Sequence, residues 1–536
     1  MTDIGEHNAG VATKLARLSQ QDLVGRIWRK DHTVWKPDPA EITNRLGWLT
    51  VTDLMRGQIS SLEAFAREVK EAGFHHVVLL GMGGSSLGAE VLRQALGSAR
   101  EYPELIVLDS TVPAAVQSVA DTINPAHTLF LVSSKSGTTT EPLALYRYFR
   151  GLVEAAGPEN AGQNFVAITD PNTPLTEQAK EEGFRHTFLN PPDIGGRFSV
   201  LSYFGLVPAA LIGIDIKELI NQADNLREKC TPDVPAPENP GAWLGAYLGT
   251  LASQGRDKLT LVTSPAINSF GLWVEQLIAE STGKEGKGII PVTGEPLTAM
   301  EHYDNDRMFV FLRLEGDDNA AMDTASGQIR ASGIPVLTLE LRDSYGLGAE
   351  FFRWEFATVI AGAMLGIHPF NQPDVQRAKD ATAHLLQEYT TSGRLTRPDS
   401  PVSPAELLAQ AGRGKYLAIM AYLLQTPQVD TLMAELRRRV LERYNIATSL
   451  GYGPRFLHST GQLHKGGPDS VLCLQITASH ERDLAIPGKP YTFGVVADAQ
   501  ALGDLEALRS SGRKATRVHF SRGDDTALAE LIDELR

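Results

Sequence analysis

The chain is 536 residues long, 42% hydrophobic and 21% charged, with a formal net charge of −14 at pH 7. That composition suits a globular protein of three or four folding units, and the acidic balance argues against a nucleic-acid partner while allowing a local cationic pocket for an anionic substrate. The two cysteines, Cys230 and Cys473, have no metal-like spacing and point to a reducing compartment without disulfides.

The start, MTDIGEHNAG, is polar and acidic and does not read as a signal peptide. No apolar run approaches the roughly twenty residues that span a bilayer. A cytoplasmic location without a membrane partner is therefore expected. Residues 1–60 read as a helical segment, with Leu15, Leu18, Leu23 and Ile27 at helical spacing. Residues 61–228 then alternate strand and helix. The strand candidates are 75–80, 104–109, 127–132, 164–170 and 186–190, each a continuous apolar run. Such runs, separated by helices, favour a parallel sheet covered on both faces. A turn-rich linker, CTPDVPAPENPG (230–241), precedes a second set of strands at 258–264, 306–314 and 333–341. Residues 229–390 are thus expected to form a second doubly wound unit. The remainder, 391–536, reads as mostly helical to about 445. A smaller mixed α/β extension follows, with strands at 470–478 and 514–520.

Two strand ends carry unusual loops. The apolar run 128–132 leads into SSKSGTTTEP, and ligands of open parallel sheets gather beyond such strand ends. Ser134, Ser136, Thr138 and Thr139 offer hydroxyl donors, Lys135 a positive charge, and Gly137 close backbone approach. Thr138 and Glu141 fit a capping box opening a helix whose free N–H groups attract an anion. A phosphate cradle explains this density of donors better than an ordinary turn. The first strand ends in GMGGSSLGAE (81–90). A dinucleotide fingerprint fails there, because Ser86 stands where the third glycine belongs. A nucleophile elbow on Ser86 fits the short pattern but leaves the second loop unexplained. A glycine-lined sugar-binding turn, with Ser85 as a contact, accounts for both loops.

Further along, Arg197 follows two glycines in DIGGRFS, where an arginine can steady developing negative charge on oxygen. In FGLWVEQLIAESTGK, Gln276 and Glu280 lie four apart on one helical face. A carboxylate in a helix's last turn meets the negative end of the dipole, which suits a general base. In IHPFNQPDVQRAK, Asn371 or Gln372 can cap a helix, with Lys379 about two turns in. His458 and His464 lie in LHSTGQLHKGG. No HExxH or Cys/His cluster suggests a metal.

Together GMGGSSLG, SSKSGTTTEP, GGRFS, QLIAESTGK and GIHPFNQPDVQRAK, in this order over residues 81–379, resemble the signatures of phosphoglucose isomerases. The resemblance implies two α/β sugar-isomerase (SIS) domains, no cofactor, a sugar-phosphate substrate and commonly a homodimer. The implied reaction interconverts glucose 6-phosphate and fructose 6-phosphate through an enediol. By the same resemblance Glu280 is the base, Arg197 steadies the enediolate, Lys379 and a histidine serve ring opening, and Gln276 binds substrate. It also adds Gly84 to the sugar-binding turn of Ser85. The family's histidine stretch usually follows the base by about twenty residues. His302 stands near that distance without the matching surround, whereas LHSTGQ around His458 matches. His458 is therefore the expected histidine, an order resembling the isomerase half of bifunctional transaldolase–phosphoglucose isomerases.

Overall fold

The computed structural model describes residues 7–157, 159–396, 402–522 and 525–535; the first six residues of the polar start lie outside this set. Helices Asn8–Gln20, Leu23–Trp28, Val51–Arg56 and Ile59–Glu71 open the chain. Leu15, Leu18, Leu23 and Ile27 turn inward into a large core shared with later helices.

Three sheets follow, and all strand pairings within them are parallel. The first contains β1 (His76–Gly81), β2 (Glu104–Leu108), β3 (Thr128–Ser133), β4 (Phe165–Thr169) and β5 (His186–Leu189), in the order β2-β1-β3-β4-β5. The continuous apolar strands arise because both faces are covered. Val77 and Leu79 enter one core, while Val78 and Leu80 enter another on the opposite face. The second sheet holds β6 (Lys258–Thr263), β7 (Ile290–Thr293), β8 (Arg307–Leu314) and β9 (Val336–Leu341), ordered β7-β6-β8-β9.

The α/β class and the parallel sheets agree with the sequence reading; the stretch after residue 390 needs correction. It is not mostly helical to 445. It builds a third sheet from β10 (Tyr416–Tyr422), β11 (Ala447–Tyr452), β12 (Val471–Ala478) and β13 (Lys514–Phe520), ordered β11-β10-β12-β13. The strand YLAIMAY mixes Leu, Ala and Met, good helix formers, with Tyr and Ile, and lies fully buried between two neighbouring strands. Tertiary packing overrides local propensity there. The short edge strand β7 also escaped notice because Pro291 interrupts its pattern, and an edge is where a strand tolerates proline.

Each sheet has the same kind of switch point. In the first, the chain leaves β1 for β2 on one side and returns to β3 on the other. The crevice where ligands gather thus opens between the carboxyl ends of β1 and β3. Those ends carry the turn Gly83–Ser85 and the hydroxyl-rich loop 134–139. Among the described residues no helix is long and apolar enough to cross a membrane.

Candidate active site

The turn Gly83–Ser85 is the point on which three other segments converge. Gly83 has φ +53°, and a Cβ there would stand 2.5 Å from the His458 carbonyl oxygen and 2.9 Å from Gln276 Nε2. A Cβ on Gly84 would stand 2.1 Å from the Gly196 carbonyl oxygen. Glycine is required at both because three other segments occupy the space a side chain would take. The Ser133 hydroxyl donates to the Ser85 carbonyl at 2.8 Å, joining the two loops of the crevice.

Helix Phe270–Thr282 follows β6 and ends at Gly283, delivering Gln276 and Glu280 to this place. The Glu280 carboxylate is buried, with Oε1 3.0 Å from Arg197 Nη1 and Oε2 accepting from Gln276 Nε2 at 3.0 Å. The same amide nitrogen donates to the His458 carbonyl at 2.8 Å, and Gln276 Oε1 is buried without a hydrogen-bond partner among the described residues. Arg197 is held from every side. Its Nε donates to Ser281 Oγ at 2.8 Å, and Nη2 donates to the carbonyls of Pro369 (2.8 Å) and Asn371 (3.1 Å). Burial pulls its guanidinium down from the ordinary value, and Glu280 is the main opposing influence.

The His458 ring faces the other way. Its Nε2 lies 2.8 Å from Glu141 Oε1, which also accepts from Gln500 Nε2 at 2.6 Å. Burial alone would push the Glu141 carboxyl up. The facing His458, its own backbone N–H and the nearby Lys379 ammonium outweigh that and bring it below the ordinary value. Lys379 itself is exposed on helix Gln376–Ser392.

The hydroxyl loop is internally ordered. Ser134 Oγ and Thr139 Oγ1 are 2.9 Å apart, as are Ser136 Oγ and Thr138 Oγ1. Gly137 has φ +65°, and a Cβ there would meet Thr173 at 2.8 Å. The expected capping box does not form. The helix runs Thr140–Ala155 with no side-chain cap, because Glu141 is committed to His458 and Gln500. Lys135 is ion-paired with Asp170 and donates to the Pro192 carbonyl at 3.2 Å.

The sequence model of the phosphoglucose isomerase family matches residues 50–290. A glucose-6-phosphate isomerase of Staphylococcus saprophyticus is 31% identical over 412 residues, covering 68% of this chain and 91% of that protein. One from Staphylococcus aureus is 29% identical with the same coverage. The chain belongs to the phosphoglucose isomerase family. Two solved structures share its fold, each with a TM-score of 0.59 over 70% of this chain. One is a hypothetical protein of Thermus thermophilus at 24% identity, with 97% of that chain covered. The other is a glucose-6-phosphate isomerase of Chlamydia trachomatis at 19%, with 86% covered.

Within this member of the family, Glu280, Arg197, Gln276, His458, Gly84 and Ser85 come together, and Lys379 approaches through Glu141. Ser86 does not resemble an exposed nucleophile: it is fully buried, and its hydroxyl donates to its own turn at Gly83. His302 bonds Asn445 at 3.3 Å, and His464 is buried with both ring nitrogens unpartnered among the described residues. Burial and the adjacent Lys465 push the His464 imidazole down to about 3.

Neither Asn371 nor Gln372 caps the Lys379 helix. The Asn371 side chain instead accepts from Lys284 Nζ at 3.1 Å. That buried lysine, four residues past Glu280, also donates to the carbonyls of His368 (2.6 Å) and Asn371. Burial and Arg197 pull its ammonium well below the ordinary value. Sequence reasoning missed Glu141, Gln500 and Lys284. The first two lie 317 and 42 positions from His458 along the chain, beyond any local pattern. Among the described residues no group of His, Cys, Asp and Glu could hold a metal ion.

Proposed function

We propose that this chain interconverts glucose 6-phosphate and fructose 6-phosphate, with Glu280 moving a proton between C2 and C1 of the open-chain sugar. The observation that carries this reading is the buried Glu280 carboxylate held by Arg197 and Gln276 against the His458 loop. Starting from the aldose, Glu280 removes the C2 proton, and the electron pair shifts toward O1. Arg197 stabilises the resulting enediolate. Returning the proton to C1, while the O2–H proton passes to O1 and O2 becomes the carbonyl oxygen, completes the ketose. Oxidation at C2 balances reduction at C1 within one molecule, so the reaction needs no external electron carrier.

His458, with Nε2 turned toward Glu141, has its Nδ1 left to exchange a proton with the ring oxygen, and Lys379 assists ring opening. The loop 134–139 and Gly84–Ser85 receive the phosphate and the sugar. Glu280, Arg197, Gln276, His458 and Glu141 meet within one chain. That supports a site complete in each protomer, whether or not copies pair. Specific activity should then stay constant on dilution through any dimer–monomer transition; a proportional loss would assign part of the site to a second copy. Cysteine usage supports a cytoplasmic setting.

The test is turnover of fructose 6-phosphate to glucose 6-phosphate, followed with a coupled dehydrogenase with and without a chelator. Glu280→Gln should lower turnover and C2 proton exchange by about 10²–10⁴-fold with substrate affinity retained. Near-normal turnover in that variant would remove Glu280 from the base role.

A further inference from the structure

The third sheet lies beyond the residues matched by the family model, yet it sends two groups into the site. One is His458. The other is Gln500, midway along helix Phe493–Ser510, between β12 and β13. Gln500 is 4% exposed and makes two side-chain contacts that fix which way its amide points. Its Oε1 accepts from Thr111 Oγ1 at 2.7 Å, so its Nε2 must be the end that faces Glu141 Oε1 at 2.6 Å. Thr111, fully buried just after β2, is therefore the outer end of a chain of donors. The order is Thr111 hydroxyl to Gln500 amide oxygen, Gln500 amide nitrogen to Glu141, and His458 Nε2–H to the same Glu141 oxygen.

We propose that Gln500 is a positioning residue for the ring-opening step, holding Glu141 as a fixed, ionised acceptor so that His458 keeps Nε2 as donor and presents Nδ1 to the sugar. This rests on the isomerase reading above. A buried carboxylate oxygen with two donors has one orientation that satisfies both, and losing either donor frees it to rotate or take up a proton. The charged and titratable groups bearing on Glu141 are His458 from the 3₁₀ turn Arg455–His458 and Lys379 from helix Gln376–Ser392. The buried phenol of Tyr422 on β10 feels the same carboxylate. Among the contacts of Glu141, Gln500 is the neutral donor, and its orientation does not change with pH.

The experiment compares two substrates in the full-length protein. Fructose 6-phosphate must open its ring; 5-deoxyfructose 6-phosphate lacks the hydroxyl that closes it and needs only the proton transfer. Gln500→Leu should lower kcat/KM for fructose 6-phosphate by roughly tenfold, the worth of one hydrogen bond to a charged group. Turnover of the open-chain sugar should change less than about twofold, which also reports that the variant is folded. The acid limb of the pH profile for the cyclic sugar should move to higher pH, because Glu141 loses a donor that favours its charged form. Thr111→Val, which only unpins the Gln500 amide, should act in the same direction and more weakly. Equal losses on both substrates, or an unmoved acid limb, would reduce Gln500 to packing and overturn the proposal. Retained turnover in Glu280→Gln would instead overturn the isomerase assignment on which it rests, so the two failures are distinguishable.

Discussion

Two helices each bury a glutamate, and the chain treats them oppositely. Helix Thr140–Ala155 buries Glu141 and surrounds it with His458 and Gln500, and its carboxyl lies below the ordinary value. Helix Leu347–Leu365 buries Glu355 completely, with neither carboxyl oxygen finding a hydrogen-bond partner among the described residues. Burial, with no opposing partner, pushes Glu355 well above the ordinary value. Desolvation is severe for both, so partners decide the outcome. A third carboxylate, Asp170, falls between them. Lys135 pairs with it, yet burial still leaves it raised. Carboxylates whose partners favour their charge in the site thus differ from one in the core whose charged form burial opposes without a partner.

Removing the partner should make Glu141 resemble Glu355. His458→Asn takes away its strongest favourable neighbour and the proposed ring-opening group together. Turnover of fructose 6-phosphate should fall by about 10²-fold or more, and 5-deoxyfructose 6-phosphate should be affected far less. His302→Asn should leave both substrates near wild type, since its ring contact is with Asn445. Parallel assays of the two variants check this, and the reverse pattern would transfer the acid–base role to His302.

The converse change gives Glu355 a side chain suited to its surroundings. Glu355→Met should stabilise the protein at pH 7 by about 1–3 kcal/mol, the cost of an unsatisfied buried polar group. The sign with pH follows from the direction of the shift. Below the ordinary carboxyl value of 4.5 both folded and unfolded chains carry a neutral Glu355, and it costs no ionisation. Above it the unfolded chain ionises first, so wild-type stability declines as pH rises toward the folded value. Denaturant midpoints measured from pH 5 to 8 should diverge in favour of the Met variant as pH rises, levelling off once the folded value is passed. A constant difference across that range would mean that Glu355 has a partner in solution.

The sequence revealed most of the sheets and about half of the site, and the division has a physical cause. Strands β1, β3, β4 and β8 are continuous apolar runs that could be little else, whereas β10 mixes helix formers (Leu, Ala, Met) with strand formers (Tyr, Ile) and its neighbours decide the outcome. Glu280 and Gln276 share a helical face, a relation local spacing displays. Glu141 was visible as a residue but read as a cap, since nothing near it announces a histidine 317 positions away. Gln500 sits in an Ala-rich helix with no local mark of function. Lys284 stood inside a quoted motif, and only the folded carbonyls of His368 and Asn371 show why a lysine can be buried there.

The smallest effect is expected at Asp170, the intermediate case, and it bears on how the cradle obtains its charge. Lys135 lies in the proposed phosphate loop but already faces a carboxylate, so its net contribution to an incoming phosphate is that of a shared charge. Lys135→Ala removes the cation and also leaves Asp170 unpaired beside the anion. Affinity for a phosphorylated inhibitor should drop by about tenfold, the upper end for a partly exposed charge contact. Asp170→Asn should leave affinity unchanged or tighten it a few-fold, because Lys135 is then unopposed. The double variant should bind better than Lys135→Ala alone, since no orphaned carboxylate remains. Calorimetric titration of the four proteins closes this cycle. If Asp170→Asn weakened binding as much as Lys135→Ala, the pair would serve to shape the loop, and the phosphate would be held by the hydroxyls and the helix N-terminus alone.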